Sequence, residues 1–344
     1  MMEKINLKNY TLEELENLME QFDEKKFRAR QIFSWLYKGV YDFEEMTNLS
    51  KSLRNQLKEY CYIENISDKQ IMISKEDSTR KYLFGLKDDH IIESVYMEYK
   101  HGSTVCISSQ VGCGMGCSFC ASAIGGVKRN LHASEMLEQV LQIQNDVSKR
   151  ISNVVIMGSG EPFENFEEVL KFLKIINNDQ GLNIGLRNIT ISTCGILPKI
   201  IEFAKQMPQV TLAISLHAPN NNIRNKIMSI NKKYPIEELM KVCQQYISLT
   251  NKRITFEYAL IEGLNDSKEN AEQLAGLLKN MLCHVNLIPL NNVEEMQYKG
   301  STRAAAMHFK DVLEKNGINA TIRRELGEDI DAACGQLRRR HIKN

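Results

Sequence analysis

Three cysteines in one short glycine-rich stretch are the residues best suited to hold a metal group. Cys113, Cys117 and Cys120 stand at C-x3-C-x2-C spacing, with glycines between and beside them. Glycine lets the backbone turn tightly enough to aim three thiolates at one centre. A cubane iron–sulfur cluster held by three cysteines keeps one iron without a protein ligand. An open coordination site on this iron is useful when a cofactor or substrate binds there. The spacing therefore favours a catalytic site over a structural one.

A zinc knuckle is the structural alternative for the same three thiols. Structural zinc sites take four protein ligands, so one more ligand has to come from elsewhere in the fold. His132 is the closest candidate, and its place in the sequence suits that role poorly. The spacing, the glycines and the aromatic Phe119 beside the last cysteine favour an iron–sulfur cluster.

The composition indicates a globular protein with reduced thiols. The 344 residues are 43% hydrophobic, enough for one large α/β domain and a small accessory one. A net charge of +1 gives no overall basic character, so any surface for nucleic acid has to be local. Nine cysteines in so long a chain indicate metal or catalytic thiols and not a disulfide framework. Because no apolar run is long enough for a membrane span or an export signal, we expect a cytoplasmic protein.

Residues 1–65 predict a small helical accessory domain. Thr11 and Glu14 form the pattern of a capping box, and apolar residues at helical spacing follow it. Two further helices are predicted from Phe27 to Gly39 and from Leu49 to Tyr60. The domain is a candidate for RNA binding, with a solvated helix surface as the alternative for its basic residues, which are Lys25, Lys26, Arg28 and Arg30.

The rest of the chain predicts an α/β fold. Residues 66–98 show the short alternating runs of a β-meander, and residues 99–330 alternate strand-like with helix-like patterns. Six strands each precede a helix: the strand before the cysteines, Val154–Met157, Ile189–Ser192, Val210–Leu216, Ile254–Ile261 and Val285–Pro289. This predicts a partial (β/α)6 barrel, with a doubly wound open sheet as the alternative. Residues 331–344 are interpreted as a C-terminal loop and basic tail.

In parallel α/β folds, functional residues collect at the carboxyl ends of the strands. The residues that follow the predicted strands are small, polar or ligand-like. Besides the cysteines they are Gly158–Pro162, Ser192–Gly195, Ser215–His217 and Asn291. The loop and Glu161 are candidates to hold an amino-acid ammonium, and the serines and Asn291 to bind a sugar or carboxylate. The structural alternatives are a plain glycine turn for the loop and a satisfied core histidine for His217.

Two other cysteines have informative positions. Cys106 lies on the strand that leads to the cluster loop, and Cys334 lies among small residues near the C-terminus. Burial as a small hydrophobe is the default for an isolated cysteine, whereas a small-residue loop allows a nucleophilic thiol to approach a cofactor. The remaining cysteines are assigned to structural positions: Cys61, Cys194, Cys243 and Cys283.

Taken together, these motifs resemble a known family. The three-cysteine motif followed by Gly158–Pro162 is similar to radical S-adenosylmethionine (SAM) enzymes. A longer series between Glu93 and Leu337 resembles the RlmN family of RNA adenine C2-methyltransferases, and the N-terminal helices resemble its accessory domain. The motifs in chain order are CISSQVGC, MGSGEP, ISTCG, ISLHAPN, INKKY, HVNLIPLN and DIDAACGQL. The fold implied is a partial (β/α)6 radical SAM barrel.

The resemblance implies a role for each candidate residue. Cys113, Cys117 and Cys120 would bind a [4Fe-4S] cluster. Seven residues would contact SAM: Gly160, Glu161, Ser192, Ser215, Leu216, His217 and Asn291. Cys334 matches the cysteine that becomes S-methylated, Cys106 the thiol that closes a transient disulfide with it, and Glu93 a proton acceptor.

The same resemblance implies the reaction and the partners. One SAM would methylate Cys334, and a second would be cleaved to a radical that activates this methyl group for addition to C2 of adenine. The implied substrates are an adenine in the peptidyl transferase centre of 23S rRNA and the adenine 3′ of the anticodon in tRNA, with rRNA alone as the alternative. Flavodoxin or ferredoxin would supply electrons, and a monomer is expected.

Three other functions remain open at this point. The related Cfr family modifies adenine C8 and shares all these cysteines, but Pro162 after Glu161 favours the RlmN family. A radical SAM enzyme acting on a protein or small molecule would leave Cys334 without a role, and a zinc- and RNA-binding protein would not be an enzyme. The departures from the family pattern are Ser159 in place of methionine, His132 in place of a threonine-like cap and Asn292 in place of proline.

Overall fold

The computed structural model describes residues 4–100, 102–290, 298–324 and 326–330. The N-terminal module contains the three predicted helices α1 (Leu12–Gln21), α2 (Phe27–Leu36) and α3 (Lys51–Tyr60). The capping box at α1 is present, with Thr11 and Glu14 bonded to each other's backbone amides. The short parallel strands β1 (Ile5–Asn6) and β2 (Cys61–Tyr62) pair the two ends of the module.

A ten-stranded mixed sheet and a two-stranded ribbon contain the remaining strands. In chain order these are β3 (Ser67–Ile73), β4 (Arg80–Gly85), β5 (Ile91–Tyr99), β6 (Gly102–Ile107), β7 (Gln110–Val111), β8 (Arg129–Asn130), β9 (Asn153–Ile156), β10 (Ile189–Thr193), β11 (Thr211–Ser215), β12 (Ile254–Leu260), β13 (Cys283–Pro289) and β14 (Ala320–Ile322). The sheet order is β14-β13-β12-β11-β10-β9-β6-β5-β4-β3, and β7 pairs with β8. Within the ten-stranded sheet the pairs from β6 to β14 are parallel and those from β3 to β6 are antiparallel, and the ribbon of β7 and β8 is antiparallel.

Helices follow the parallel strands in regular alternation. They are α4 (Ala133–Val147), α5 (Phe166–Asn177), α6 (Leu197–Gln206), α7 (Asn221–Ile227), α8 (Ile236–Thr250), α9 (Lys268–Leu278) and α10 (Arg303–Lys315). Short 3-10 helices lie at Leu7–Asn9, Phe43–Glu45, Ala121–Ala123, Leu186–Asn188, Ser229–Lys232 and Glu328–Ile330. The predicted series of six β/α units after a β-meander is confirmed, whereas β14 was not predicted. Among the described helices, none combines the length and apolar character needed to cross a membrane.

The two faces of the parallel sheet differ in polarity because successive side chains of a strand point to opposite sides. One face packs in the main hydrophobic core with the helices and includes Ile107, Ile156, Ile191, Leu212 and Phe256. The opposite face carries half-buried or buried polar groups, namely Thr190, Ser192, Thr211, Ser215, Glu257 and Asn286. The polar face is therefore the side available for a ligand.

A buried ion pair joins the N-terminal module to the core. The Lys8 ammonium contacts the Glu138 carboxylate of α4, and both side chains are 0% exposed. Tyr41 and Gln142 donate hydrogen bonds to the second carboxylate oxygen at 3.1 and 3.3 Å, and the ammonium lies 4.0 Å from the centre of the Tyr41 ring. These contacts offset the cost of removing two charges from water. The position of α4 is thereby set against the N-terminal module.

Replacing Lys8 by methionine should destabilise the protein strongly, because Glu138 would remain buried without its cation. We expect the free energy of unfolding, measured by urea denaturation, to fall by about 3–5 kcal/mol. The matched control is Lys149→Met, which breaks an ion pair with Glu98 on the surface and should leave the unfolding midpoint nearly unchanged. Equal effects of the two substitutions would contradict a special role for the buried pair.

Candidate active site

The cysteine loop lies at the carboxyl end of β6, where the backbone adopts conformations that glycine allows. Gly112 and Gly116 have φ values of 76° and 66°, and the Cys120 amide donates to the Cys117 carbonyl at 3.1 Å. Burial raises the pKa of the Cys113 thiol to about 12 and also raises the pKa of Cys117, and the neighbouring thiols add to both shifts. Three thiolates in this loop therefore need a positively charged group among them.

The donor set suits a cluster better than a single ion. Among the described residues, no three His, Cys, Asp or Glu side chains are close enough together to share one metal ion. A cubane cluster binds each thiolate through a different iron and needs no such close group. His132, the histidine considered for a zinc site, caps α4 and faces Glu168, with 4.0 Å between Nδ1 and Oε1.

The loop from Gly158 to Pro162 follows β9 and lies against the strand that leads to the cysteines. A Cβ atom at Gly158 would lie 2.8 Å from the Ile107 backbone, and one at Gly160 would lie 2.7 Å from the Gln110 amide nitrogen. Gly160 also has a φ of 112°, which other residues rarely adopt. No side chain fits at Gly158 or Gly160 without a clash. Such positions are expected where the backbone must approach a neighbouring segment or a ligand closely.

Hydrogen bonds hold this loop to the residues just after β6. The Ser159 amide donates to Ser108 Oγ at 3.0 Å, and its carbonyl accepts from the Ser109 and Gln110 amides at 2.9 and 3.1 Å. The Glu161 amide donates to Gln110 Oε1 at 2.8 Å. The loop and the start of the cysteine segment therefore form one hydrogen-bonded unit.

The Glu161 carboxylate is bonded to backbone amides of the protein itself. Only 3% exposed, it accepts hydrogen bonds from the amides of Phe163 at 3.0 Å and Cys194 at 2.8 Å, the latter just after β10. Burial raises its pKa, and these bonds oppose the rise. The carboxylate thus fastens the loop to the neighbouring strand end, and a direct contact between Glu161 and a cofactor ammonium stays a prediction.

The residues predicted at the ends of β10 and β11 lie together. Ser192 Oγ and Ser215 Oγ are 3.2 Å apart and half-buried, so they can accept and donate hydrogen bonds to a ligand. Leu216 is fully buried in the main core, and its contact with SAM stays a prediction.

His217 has a structural environment. Its Nδ1 accepts from the Ala259 amide at 2.9 Å, its φ is 56°, and its ring meets the Phe119 ring edge-on at 4.9 Å. Burial, with a smaller effect from Arg224, lowers the pKa of His217 to about 3, so the imidazole is neutral. This environment matches the satisfied core histidine considered from the sequence, and its contact with SAM stays a prediction.

Glu93 and Cys106 lie next to each other on the polar face. Cys106 pairs with Val95 of β5, and Glu93 is two residues before Val95 on the same face of that strand. Ser108 Oγ donates to the Glu93 carbonyl at 2.7 Å, which places Glu93 beside the carboxyl end of β6. The Glu93 carboxylate is 3.7 Å from the Lys81 ammonium, and both are buried.

Two of the predicted site residues, Asn291 and Cys334, lie outside the described residues, as does the basic tail. The sequence reasoning also missed polar residues that hold the site together. Gln139 of α4 accepts from the Ser108 amide at 2.8 Å and from Ser94 Oγ at 2.7 Å, and Arg224 of α7 lies behind the strand ends. The signal for Ser108 was its place in the motif CISSQVGC, but Gln139 and Arg224 lie in ordinary helical patterns.

Alanine at Gly160 should disturb the loop, because its Cβ would meet the Gln110 backbone and its φ would be strained. Strain of this kind costs about 1–3 kcal/mol, which corresponds to a fall in SAM affinity of about fivefold to more than a hundredfold. Equilibrium dialysis with SAM under anaerobic conditions measures this affinity. The control Gly185→Ala has an ordinary φ of −61° and should bind normally. Unchanged affinity in Gly160→Ala would rule out the predicted contact loop.

Comparison with protein families identifies two regions of the chain. Residues 5–63 match the family described as the ribosomal RNA large subunit methyltransferase N-terminal domain, and residues 107–275 match the radical SAM superfamily. The second match spans both the cysteine loop and the Gly158–Pro162 loop. Proteins of this superfamily use a [4Fe-4S] cluster and SAM, and the thiols and glycines described above suit both groups.

Full-length relatives and one solved structure agree with these matches. The chain is 56% identical over 98% of its length to "Probable dual-specificity RNA methyltransferase RlmN" of Thermoanaerobacter sp. (strain X514), covering 99% of that protein. A relative with the same description from Caldanaerobacter subterraneus is 58% identical over the same shares of the two chains. The crystal structure of a radical SAM methyltransferase from Sphaerobacter thermophilus has a TM-score of 0.92 at 42% identity, over 96% of this chain and 98% of that one. The chain belongs to the RlmN family of radical SAM RNA methyltransferases.

Proposed function

We propose that this protein methylates C2 of one adenine in the peptidyl transferase centre of 23S rRNA and of the adenine 3′ of the anticodon in tRNA. The observation that carries the proposal is the common position of Glu93, Cys106 and the two serines Ser192 and Ser215 on the polar face of one sheet. This common position supports the proposal that Glu93 accepts a proton and that Cys106 acts as a nucleophile beside the residues predicted to bind SAM.

Strand register supports this common position. Cys106 pairs with Val155 of β9, and Val155 pairs with Thr190 of β10. Ser192 is two residues further along β10 and therefore on the same face, toward the carboxyl end. Glu93 is displaced in the same direction from Cys106, because β5 runs antiparallel to β6. The catalytic candidates thus line one edge of the polar face.

Each of these residues has a defined task in the proposed reaction. When bound, the cluster and SAM supply the one-electron chemistry that removes a hydrogen atom from an unreactive C–H bond. Glu93, oriented by the Lys81 ammonium at 3.7 Å and by the bond from Ser108 to its carbonyl, accepts the proton from C2 of adenine. Ser192 and Ser215 orient SAM through hydrogen bonds.

Cys334 and Cys106 carry and release the methyl group. Cys334 would accept a methyl group from one SAM as a thioether, and a second SAM would supply the chemistry that activates this methyl group. The cluster, when bound, would supply one electron for that activation and take one back as the adduct at C2 loses its proton to Glu93. After the methyl carbon has bonded to C2, the Cys106 thiolate attacks the Cys334 sulfur. The S–S bond forms as the S–C bond breaks, and the carbon leaves with the electron pair and takes up a proton. A reductant then restores the two thiols.

The partners follow from this reaction. The N-terminal module is proposed to help bind RNA as a separate domain of residues 1–65. Flavodoxin or ferredoxin is proposed as the electron donor. A cytoplasmic location is proposed because the proposed substrates are ribosomal and transfer RNA, and a monomer is proposed as well.

Mass spectrometry of modified nucleosides tests the proposed product. Cells that lack this protein and regain it from a plasmid should gain 2-methyladenosine in 23S rRNA and in tRNA, and Cys117→Ala should abolish the gain. The appearance of 8-methyladenosine would instead support a Cfr-like enzyme. No methylation, together with a colourless zinc protein after anaerobic purification, would support a non-enzymatic RNA-binding protein.

Replacing Cys106 by alanine should trap the protein on its substrate, because no thiol would remain to attack the Cys334 thioether. We expect a covalent protein–RNA adduct in denaturing gels, with peptide mapping to Cys334. Cys283→Ala is the matched control, because this buried cysteine begins β13 at the opposite end of the strand from the site. Normal turnover by Cys106→Ala, without adduct, would contradict the proposed release step.

A further inference from the structure

Arg224 is a buried cation for which the described residues provide no anionic partner. It lies in α7, is 1% exposed, and takes part in none of the ion pairs found in the described part of the chain. Burial lowers the pKa of Arg224 to about 10, so the guanidinium remains charged at neutral pH. A buried charge without a counter-charge is costly, so a negatively charged group bound nearby would stabilise it.

The guanidinium connects two backbone segments at the strand ends. Its Nη2 donates to the carbonyls of Cys194 at 2.7 Å and Ser215 at 3.2 Å, and its Nε donates to the Leu216 carbonyl at 3.1 Å. Its Nη1 donates to Asn231 Oδ1 at 3.0 Å. Arg224 therefore fixes α7 to the carboxyl ends of β10 and β11.

The segment that Arg224 fixes also supports the cysteine loop. The Ser118 amide donates to the Ile227 carbonyl at 3.0 Å, and Ser229 Oγ donates to the Met115 carbonyl at 2.5 Å. Cys117 packs with Ile227 in a small apolar cluster apart from the main core. Loss of the Arg224 side chain would therefore free α7 to move, and the cysteine loop around Cys117 would lose part of its support.

The same contacts hold the charge of Arg224 close to the cysteine loop. Its Nη2 bonds the carbonyl of Cys194, and Cys194 belongs to the same small apolar cluster as Cys117. A group bound by three thiolates carries negative charge, so a fixed buried cation beside it would favour the more negatively charged state, whereas an apolar surrounding would disfavour it.

We propose that Arg224 is a positioning residue that holds the cysteine loop and supplies the buried positive charge that offsets the negative charge of the cluster and its thiolates. The inference depends on the cluster of the family and not on which adenine position is methylated. It is therefore tested by measurements on the protein without RNA, so its failure is distinguishable from a failure of the proposed function.

Two substitutions at Arg224 separate the two tasks. Arg224→Gln should lower iron and sulfide per chain and shift the midpoint potential of the remaining cluster to more negative values, as followed by EPR during redox titration. Arg224→Lys keeps the charge without the planar fork, so cluster content should fall while the potential stays close to wild type. Arg187→Gln removes an equal charge from an exposed position and should change neither quantity.

Asn231→Asp tests the charge with the arginine in place, and it remains informative if Arg224→Gln does not fold. A carboxylate at this position would pair with Nη1 and neutralise the guanidinium. We expect wild-type iron and sulfide content and a more negative potential. An unchanged potential in Asn231→Asp and Arg224→Gln would overturn the electrostatic task, and full cluster content in Arg224→Gln would overturn the positioning task.

Discussion

The placement of three thiols in one partly buried loop is the constraint on which the rest of the site depends. Burial and mutual repulsion oppose the thiolate forms of Cys113 and Cys117, so the loop does not hold its shape through its own charges. Its shape is imposed by the elements on either side. The Gly158–Pro162 loop packs against one end of it, and α7 with the turn that follows supports the other.

Backbone groups at the carboxyl ends of parallel strands need hydrogen-bond partners once the sheet stops. Here buried polar side chains provide them: Ser108, Gln110 and Gln139 around the end of β6, and Arg224 around the ends of β10 and β11. Each of these side chains joins two or more segments of the site. The proposed catalytic groups are thus held in position by residues to which the proposed reaction assigns no step.

Helix α4 connects the N-terminal module with this site. Glu138 forms the buried pair with Lys8, and the next residue, Gln139, bonds the Ser108 amide. Since a helix is rigid over so short a distance, the module and the strand that carries Cys106 have a fixed relation. If the module binds RNA as proposed, the RNA would meet the proposed catalytic residues in a defined position.

The sequence by itself determined the cluster motif, the six β/α units and the family. Each of these is local, because cysteine spacing, glycine placement and the periodicity of apolar residues act over a few turns or one strand. It also indicated Glu93 and Cys106, but only by resemblance. The tertiary structure decided that these two residues share a face with Ser192, because strand register is set by pairing between distant segments. It also decided that Glu161 and His217 bond backbone amides of other segments. Arg224 is buried behind the site because burial depends on what packs against a helix and not on the helix's own sequence.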